Sequence, residues 1–269
     1  MGITHLISKY FEICAKKYFG KRKAKMKILT VENLSRAFGG IKANEDISFE
    51  VEKGQVLGVI GPNGAGKSTL FDLITGYTKP DNGKIYFENN NIFGLKPDKI
   101  SSLGIGRTFQ KLKPFADQTL LENVMIGSFV KESNIKKARD KALEIIEFVD
   151  LIEKRHHFAR ELSTGQRKRL EMARAMAIKP KLLLMDEVTG GVDQKTIPSL
   201  VGLIKKLKTL GATIITIEHN INIIMEISDN ILALDQGKKI AFGTPKDCLL
   251  YTSDAADDTP CVDLGGRRI

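Results

Sequence analysis

The stretch 56–74 constrains this chain more than any other. An apolar run, Val56-Leu57-Gly58-Val59-Ile60, leads into Gly61-Pro62-Asn63-Gly64-Ala65-Gly66-Lys67-Ser68-Thr69, and a helical pattern follows over 70–74. The middle part fits GxxxxGK[ST], and strand, glycine-rich loop and helix come in the order that pattern requires. Glycines let the main chain curl so that several N–H groups point inward, and the next helix turns the positive end of its dipole to the same spot. Such a turn grips a phosphate chain. Lys67 is placed to neutralise the β- and γ-phosphates and Ser68 to ligate Mg²⁺, so the expected ligand is ATP with Mg²⁺.

A second run supplies acids for that loop. Leu182-Leu183-Leu184-Met185 reads as a buried strand ending in Asp186-Glu187. Asp186, at the strand tip, suits the metal shell, and Glu187 suits a general base or an orienter of the attacking water. Further β-rich runs at 27–31, 47–51, 55–60, 84–88 and 213–217 alternate with helical patterns, which predicts an α/β protein with a parallel core sheet. Strand signals stop between about 111 and 165, where segments such as 135–148 space apolar residues three and four apart. The spacing predicts a helical insertion.

Phosphate loops and acidic strands also serve kinases, GTPases and motors, so a third element has to decide. Leu162-Ser163-Thr164-Gly165-Gln166, followed by a strongly helical 167–178, resembles the LSGGQ signature of ABC transporter ATP-binding subunits. Ser163 is placed as a helix N-cap, which aims free N–H groups and a dipole at an anion. The resemblance covers roughly 28–247. In FGGIKANEDISFEV, GIGRTFQKLKPFADQTLLENVMIG, ELSTGQRKRLEMARAMA and EHNINIIMEISDNILALDQGKKIAFGTPKD it is similar to the LivG-like subunits of branched-chain amino acid importers.

The resemblance implies an α/β P-loop (RecA-like) core with an antiparallel β subdomain and an inserted helical subdomain. It implies a head-to-tail pair with a second ABC ATPase subunit, two ATP molecules lying between them and Ser163, Thr164, Gly165 and Gln166 facing the opposite nucleotide. It makes Gln110 the Q-loop residue that reaches metal and water, Asp193 the D-loop acid, His219 the switch histidine at the γ-phosphate and Phe38 an aromatic ring stacked on adenine. Two transmembrane permease subunits, a periplasmic or lipid-anchored solute-binding protein and a peripheral place on the cytoplasmic face of the inner membrane follow from the same likeness. Thr164, Val188 and the pair Gly191-Val192 depart from the family pattern, which has glycine, proline and a small residue with leucine there. None of these changes removes a charged or metal-binding group, so an active site is expected.

Charge tests the main rival, a soluble ABC ATPase acting on nucleic acid or ribosomes. The net charge is +10, but Lys9, Lys16, Lys17, Lys21, Arg22, Lys23, Lys25 and Lys27 stand against Glu12 alone before residue 28. Most of the excess sits in this stretch, and the leader 1–26 reads as a basic amphipathic helix or an upstream-start extension. Repair ATPases insert long heptad coils and ribosomal members carry two cassettes; this chain has neither, so no nucleic acid partner is expected. Amides or urea are alternative solutes. Cys14, Cys248 and Cys261 form no CxxC pair, which suggests neither a disulfide framework nor a zinc site. The segment 248–269 looks like an in-frame translation of a sequencing adapter, so the expected domain runs over 27–247 and the tail is expected to be disordered.

Overall fold

The computed structural model describes residues 26–109 and 114–248. The leader short of Met26, Gln110, Cys14, Cys261 and the tail beyond Cys248 lie outside the described residues.

Two sheets carry the fold. In the first, β1 (Lys27–Phe38) pairs antiparallel with β2 (Ile41–Glu52) on one side and with β4 (Asn82–Phe87) on the other, and β5 (Asn90–Asn91) closes the order β2-β1-β4-β5. Period-2 alternation puts Leu29, Val31, Ile47, Phe49, Val51, Ile85 and Phe87 on one buried face. Only 27–31 is legible as a first strand in the sequence, because register shifts after Val31 and Leu34 break the alternation while hydrogen bonding continues to Phe38.

The second sheet runs β10-β9-β3-β8-β7-β6. Its members are β3 (Val56–Ile60), β6 (Ile105–Arg107), β7 (Leu182–Asp186), β8 (Thr213–Ile217), β9 (Asn230–Asp235) and β10 (Lys238–Gly243). All neighbours are parallel except the edge strand β10, which returns antiparallel to β9. Every residue of β7 and β8 is buried, as continuous Leu/Ile runs covered on both faces should be. On one face the sheet packs against the antiparallel sheet and helix α1 (Lys67–Ile74) through Leu57, Val59, Leu184, Ile215, Leu70 and Phe71. The short helix α2 (Pro97–Leu103) adds Ile100 to that core.

The other face carries the expected helical insertion. Helix α3 (Leu120–Ser128) opens on a capping box between Thr119 and Glu122, and α4 (Ile135–Phe148) on an Asn134 cap. Two 3-10 turns, Ile152–Lys154 and Ala159–Glu161, lead to α5 (Thr164–Ala177), which returns the chain to β7. Leu120, Val124, Ala142, Ile146, Leu170 and Ala173 join these helices to Leu183 and Met185 of the sheet, with α6 (Ile197–Thr209) alongside. Ile146 is 0% exposed, and truncating it to alanine should cost about 2–5 kcal/mol. Helix α7 (Ile221–Ile227) follows β8. Cys248, the first residue of the segment read as foreign, is buried against Ile224 and Ile231, so the packed fold extends at least that far. Among the described residues no helix is long and apolar enough to cross a membrane.

Candidate active site

The phosphate loop sits between β3 and α1, at the carboxyl end of the parallel strands, where α/β sheets bind ligands. Gly66 precedes α1 at φ 96°, and a β-carbon there would lie 2.2 Å from the Ala43 carbonyl, so only glycine lets the loop turn under the β1–β2 hairpin. No side chain caps α1, which leaves the N–H groups of its first turn to a ligand. Lys67 is 7% exposed, and its amine donates to the carbonyls of Gly61 at 2.7 Å and Pro62 at 2.9 Å. Burial lowers its pKa below the usual lysine value, while the nearby charges of Glu187 and Asp186 oppose that shift. The loop lysine and the two acids therefore share one electrostatic environment. Ser68 and Asn63 are exposed on the loop and Thr69 is half-buried behind them.

Asp186 ends β7 at 3% exposure. Arg107 reaches its Oδ2 at 3.4 Å and also donates to Asp72 at 2.6 Å and Thr75 at 3.0 Å, with its guanidinium 5.0 Å from the Phe109 ring centre. The other oxygen, Oδ1, is buried without a hydrogen-bond partner among the described residues. Burial raises the Asp186 pKa above the usual carboxylate value, and Arg107 pulls it back. The next residue, Glu187, lies at φ 50°, a left-handed conformation that a β-carbon disfavours by about 1–2 kcal/mol. Its Oε1 is 2.7 Å from Nε2 of His219, which follows β8. The acid and the histidine predicted to flank the γ-phosphate are thus in direct contact.

At the signature, Ser163 caps α5 as its position predicts. Its hydroxyl accepts the Gln166 N–H at 3.4 Å, and the Gln166 side chain accepts the Ser163 N–H at 3.1 Å. That capping box leaves the Thr164 and Gly165 N–H groups at the helix start. Thr164 is exposed, so its extra bulk over glycine projects from the folded surface. Gly165 is buried, and a β-carbon on it would lie 2.6 Å from Cγ2 of Thr196, a residue pinned by Asp193 through a 2.7 Å hydroxyl bond. The start of α5 and the Asp193–Thr196 turn therefore meet at Gly165, where a side chain would collide. Phe38 is 47% exposed at the end of β1, with Arg36 4.7 Å from its ring centre.

Four residues of the site carry no signal in the sequence. Besides Arg107, Thr108 accepts the Asp186 N–H at 3.1 Å, while Lys168 and Glu218 are buried beside the Glu187 turn.

A phosphate loop opening a helix, beside two acids at the tip of a parallel strand, defines a P-loop nucleoside triphosphatase. The ABC transporter family model matches residues 44–190. A probable branched-chain amino acid transport ATP-binding protein LivG of Archaeoglobus fulgidus is 38% identical over 238 residues, 83% of this chain and 92% of that protein. The high-affinity branched-chain amino acid transport ATP-binding protein BraF of Pseudomonas aeruginosa is 36% identical over 235 residues, 81% and 92%. Among solved structures, the ADP conformation of an ATP-binding cassette of an ABC transporter superposes with a TM-score of 0.77 at 35% identity, covering 86% of this chain and 96% of that one. The dimeric structure of a bacterial ABC transporter cassette gives 0.74 at 28%, covering 81% and 98%. This chain belongs to the ABC transporter family, as its ATP-hydrolysing subunit.

Proposed function

We propose that the chain energises uptake of branched-chain amino acids from the cytoplasmic face of the plasma membrane. The observation that carries the reading is the meeting, in one chain, of Lys67, Asp186, Glu187 and His219 with a signature helix start whose Ser163 and Thr164 are exposed. The names of the LivG and BraF relatives supply the solute class.

ATP lies on the phosphate loop with its adenine toward Phe38. Lys67 exchanges the Gly61 and Pro62 carbonyls for phosphate oxygens, and the adjacent acids favour its charged form. Ser68, Asp186 and Gln110 would hold Mg²⁺, and the buried, partnerless Oδ1 of Asp186 fits that role. The ion supplies charge neutralisation on the phosphate oxygens. Glu187 orients and deprotonates the attacking water, and His219, in contact with it, steadies the carboxylate and faces the γ-phosphate. Ser163, Thr164, Gly165 and Gln166 of a second ATPase subunit, with its Asp193 alongside, close the site over the triphosphate.

The membrane subunits dock where the helical insertion meets the core. A cleft of about 450 Å³ opens there between β6, α3 and α5, lined by Tyr77, Arg107, Phe109, Ile126 and Arg174 among others. Arg107 links that cleft to Asp186, so nucleotide and docked subunit bear on one residue. A solute-binding protein delivers the amino acid from outside.

A strain lacking the gene tests the assignment. Labelled leucine uptake should be lost, restored by the parent chain and not by the Glu187→Gln chain. Uptake that survives deletion would overturn it.

A further inference from the structure

The turn after β7 is braced from two directions by groups that the mechanism above leaves unused. From α5, the Lys168 amine, 5% exposed, donates to the main-chain carbonyl of Glu187 at 2.5 Å. From the end of β8, the Glu218 carboxylate, 4% exposed, accepts the Thr189 N–H at 3.1 Å and its hydroxyl at 2.6 Å. Burial lowers the Lys168 pKa, and the Glu218 charge opposes it more than any other acid does. A buried lysine and a buried glutamate therefore enclose residues 187–189 and balance each other's charge.

That bracing falls where the backbone needs it. Glu187 holds a left-handed φ of 50° without being glycine, and such a conformation persists only where the surroundings enforce it. A peptide free to relax there would carry the Glu187 carboxylate away from His219. The lysine makes its bond to a carbonyl and not to a side chain, so what it fixes is the direction in which the carboxylate leaves the main chain.

We infer that Lys168 is a positioning residue for Glu187 and the link between the signature helix and the base of its own subunit. This rests on the proposed role of Glu187. One helix, α5, carries Ser163 at its start, facing the neighbour's nucleotide, and Lys168 little more than a turn later, holding its own base. Contact with the neighbour's phosphates is thereby felt at Glu187 through a single rigid element.

Steady-state hydrolysis and nucleotide binding by the full chain test the link. Lys168→Met keeps the aliphatic stem and removes the donor. Its kcat should fall about tenfold or more, with KM and the nucleotide Kd within about twofold of the parent, and Lys168→Arg should recover kcat to within about threefold. A Lys168→Met chain with parental kcat overturns the inference, as does an equal loss in both variants accompanied by weaker nucleotide binding. Should the single variant not fold with Glu218 left unbalanced, Lys168→Met with Glu218→Gln is compared with Glu218→Gln alone, and equal kcat values overturn it. Glu187→Gln, assayed alongside, separates the two levels. Full activity there removes the base assignment itself, whereas an inactive Glu187→Gln beside an active Lys168→Met removes only the positioning role.

Discussion

The two ends of the proposed nucleotide site are built on opposite plans. At the phosphate-loop end, Lys67 and Asp186 are buried, Glu187 is nearly so, and the contacts of the two acids reach across the fold to Arg107, Lys168 and His219. At the signature end, Ser163, Thr164 and Asp193 are exposed, and the side-chain bonds of Ser163 and Asp193 stay within three residues, to Gln166 and Thr196. Groups that serve their own nucleotide are held by their own chain. Groups that serve a neighbour are kept in shape locally and left open, to be completed by that neighbour. Substitutions at the first end should therefore disturb chemistry and stability together, whereas those at the second should spare the isolated fold.

The largest expected effect is at Glu187. Glu187→Gln should reduce phosphate release by about 100-fold or more while ATP affinity stays within about threefold, measured by single-turnover hydrolysis and equilibrium binding. The comparison breaks next at Gly165, which is buried although it stands between the exposed Thr164 and the half-buried Gln166. Gly165→Ala drives a methyl into Thr196 and should cost about 1–3 kcal/mol, or several degrees in Tm, with recovery when Thr196→Ser removes the opposing methyl and keeps the hydroxyl for Asp193.

Asp186→Asn should abolish hydrolysis yet raise Tm by about 2 °C, because the variant no longer buries a charged oxygen without a partner. The pH dependence has a fixed sign. The folded-state pKa of Asp186 is raised by burial above the ordinary aspartate value of 3.8, so the folded protein takes up this proton more readily than the unfolded chain. The cost of the buried charge is absent below that ordinary value, grows as pH rises through the window up to the folded pKa, and is complete above it. The Tm gain should be largest near neutral pH and shrink on acidification. A gain that grows in acid would contradict the assignment. Phe38 belongs to the chain's own nucleotide yet is exposed, so Phe38→Ala should raise KM for ATP a few-fold and leave Tm within about 1 °C, since an exposed side chain contributes little to the fold. Thr164→Gly should be the mildest, with hydrolysis within about twofold of the parent.

The phosphate loop, the two acids and the signature are legible in the sequence because each is a contiguous run whose neighbours decide its geometry. Ser163 could be read as a cap from its place before a helical pattern alone. Arg107, Lys168 and Glu218 are not legible, since each is a single polar residue whose partner lies 79, 19 or 29 positions away and meets it only after the strands have paired. The strand β6 is three residues long, too short for any period to show, and β9 and β10 read only as part of a family-like stretch. The buried face of Gly165 depends on where the D-loop lands, which no local pattern encodes.

The claim on which the rest depends is that the exposed start of α5 closes over a nucleotide held by another subunit. Labelling of a Ser163→Cys, Glu187→Gln chain by a thiol reagent, followed at that peptide by mass spectrometry in the assembled transporter, addresses it without regard to whether the second subunit is identical. The account requires fast labelling without nucleotide, as the exposure of Ser163 dictates, and strong protection with Mg·ATP. Equal labelling in both conditions, with ATP shown to be bound, would contradict it.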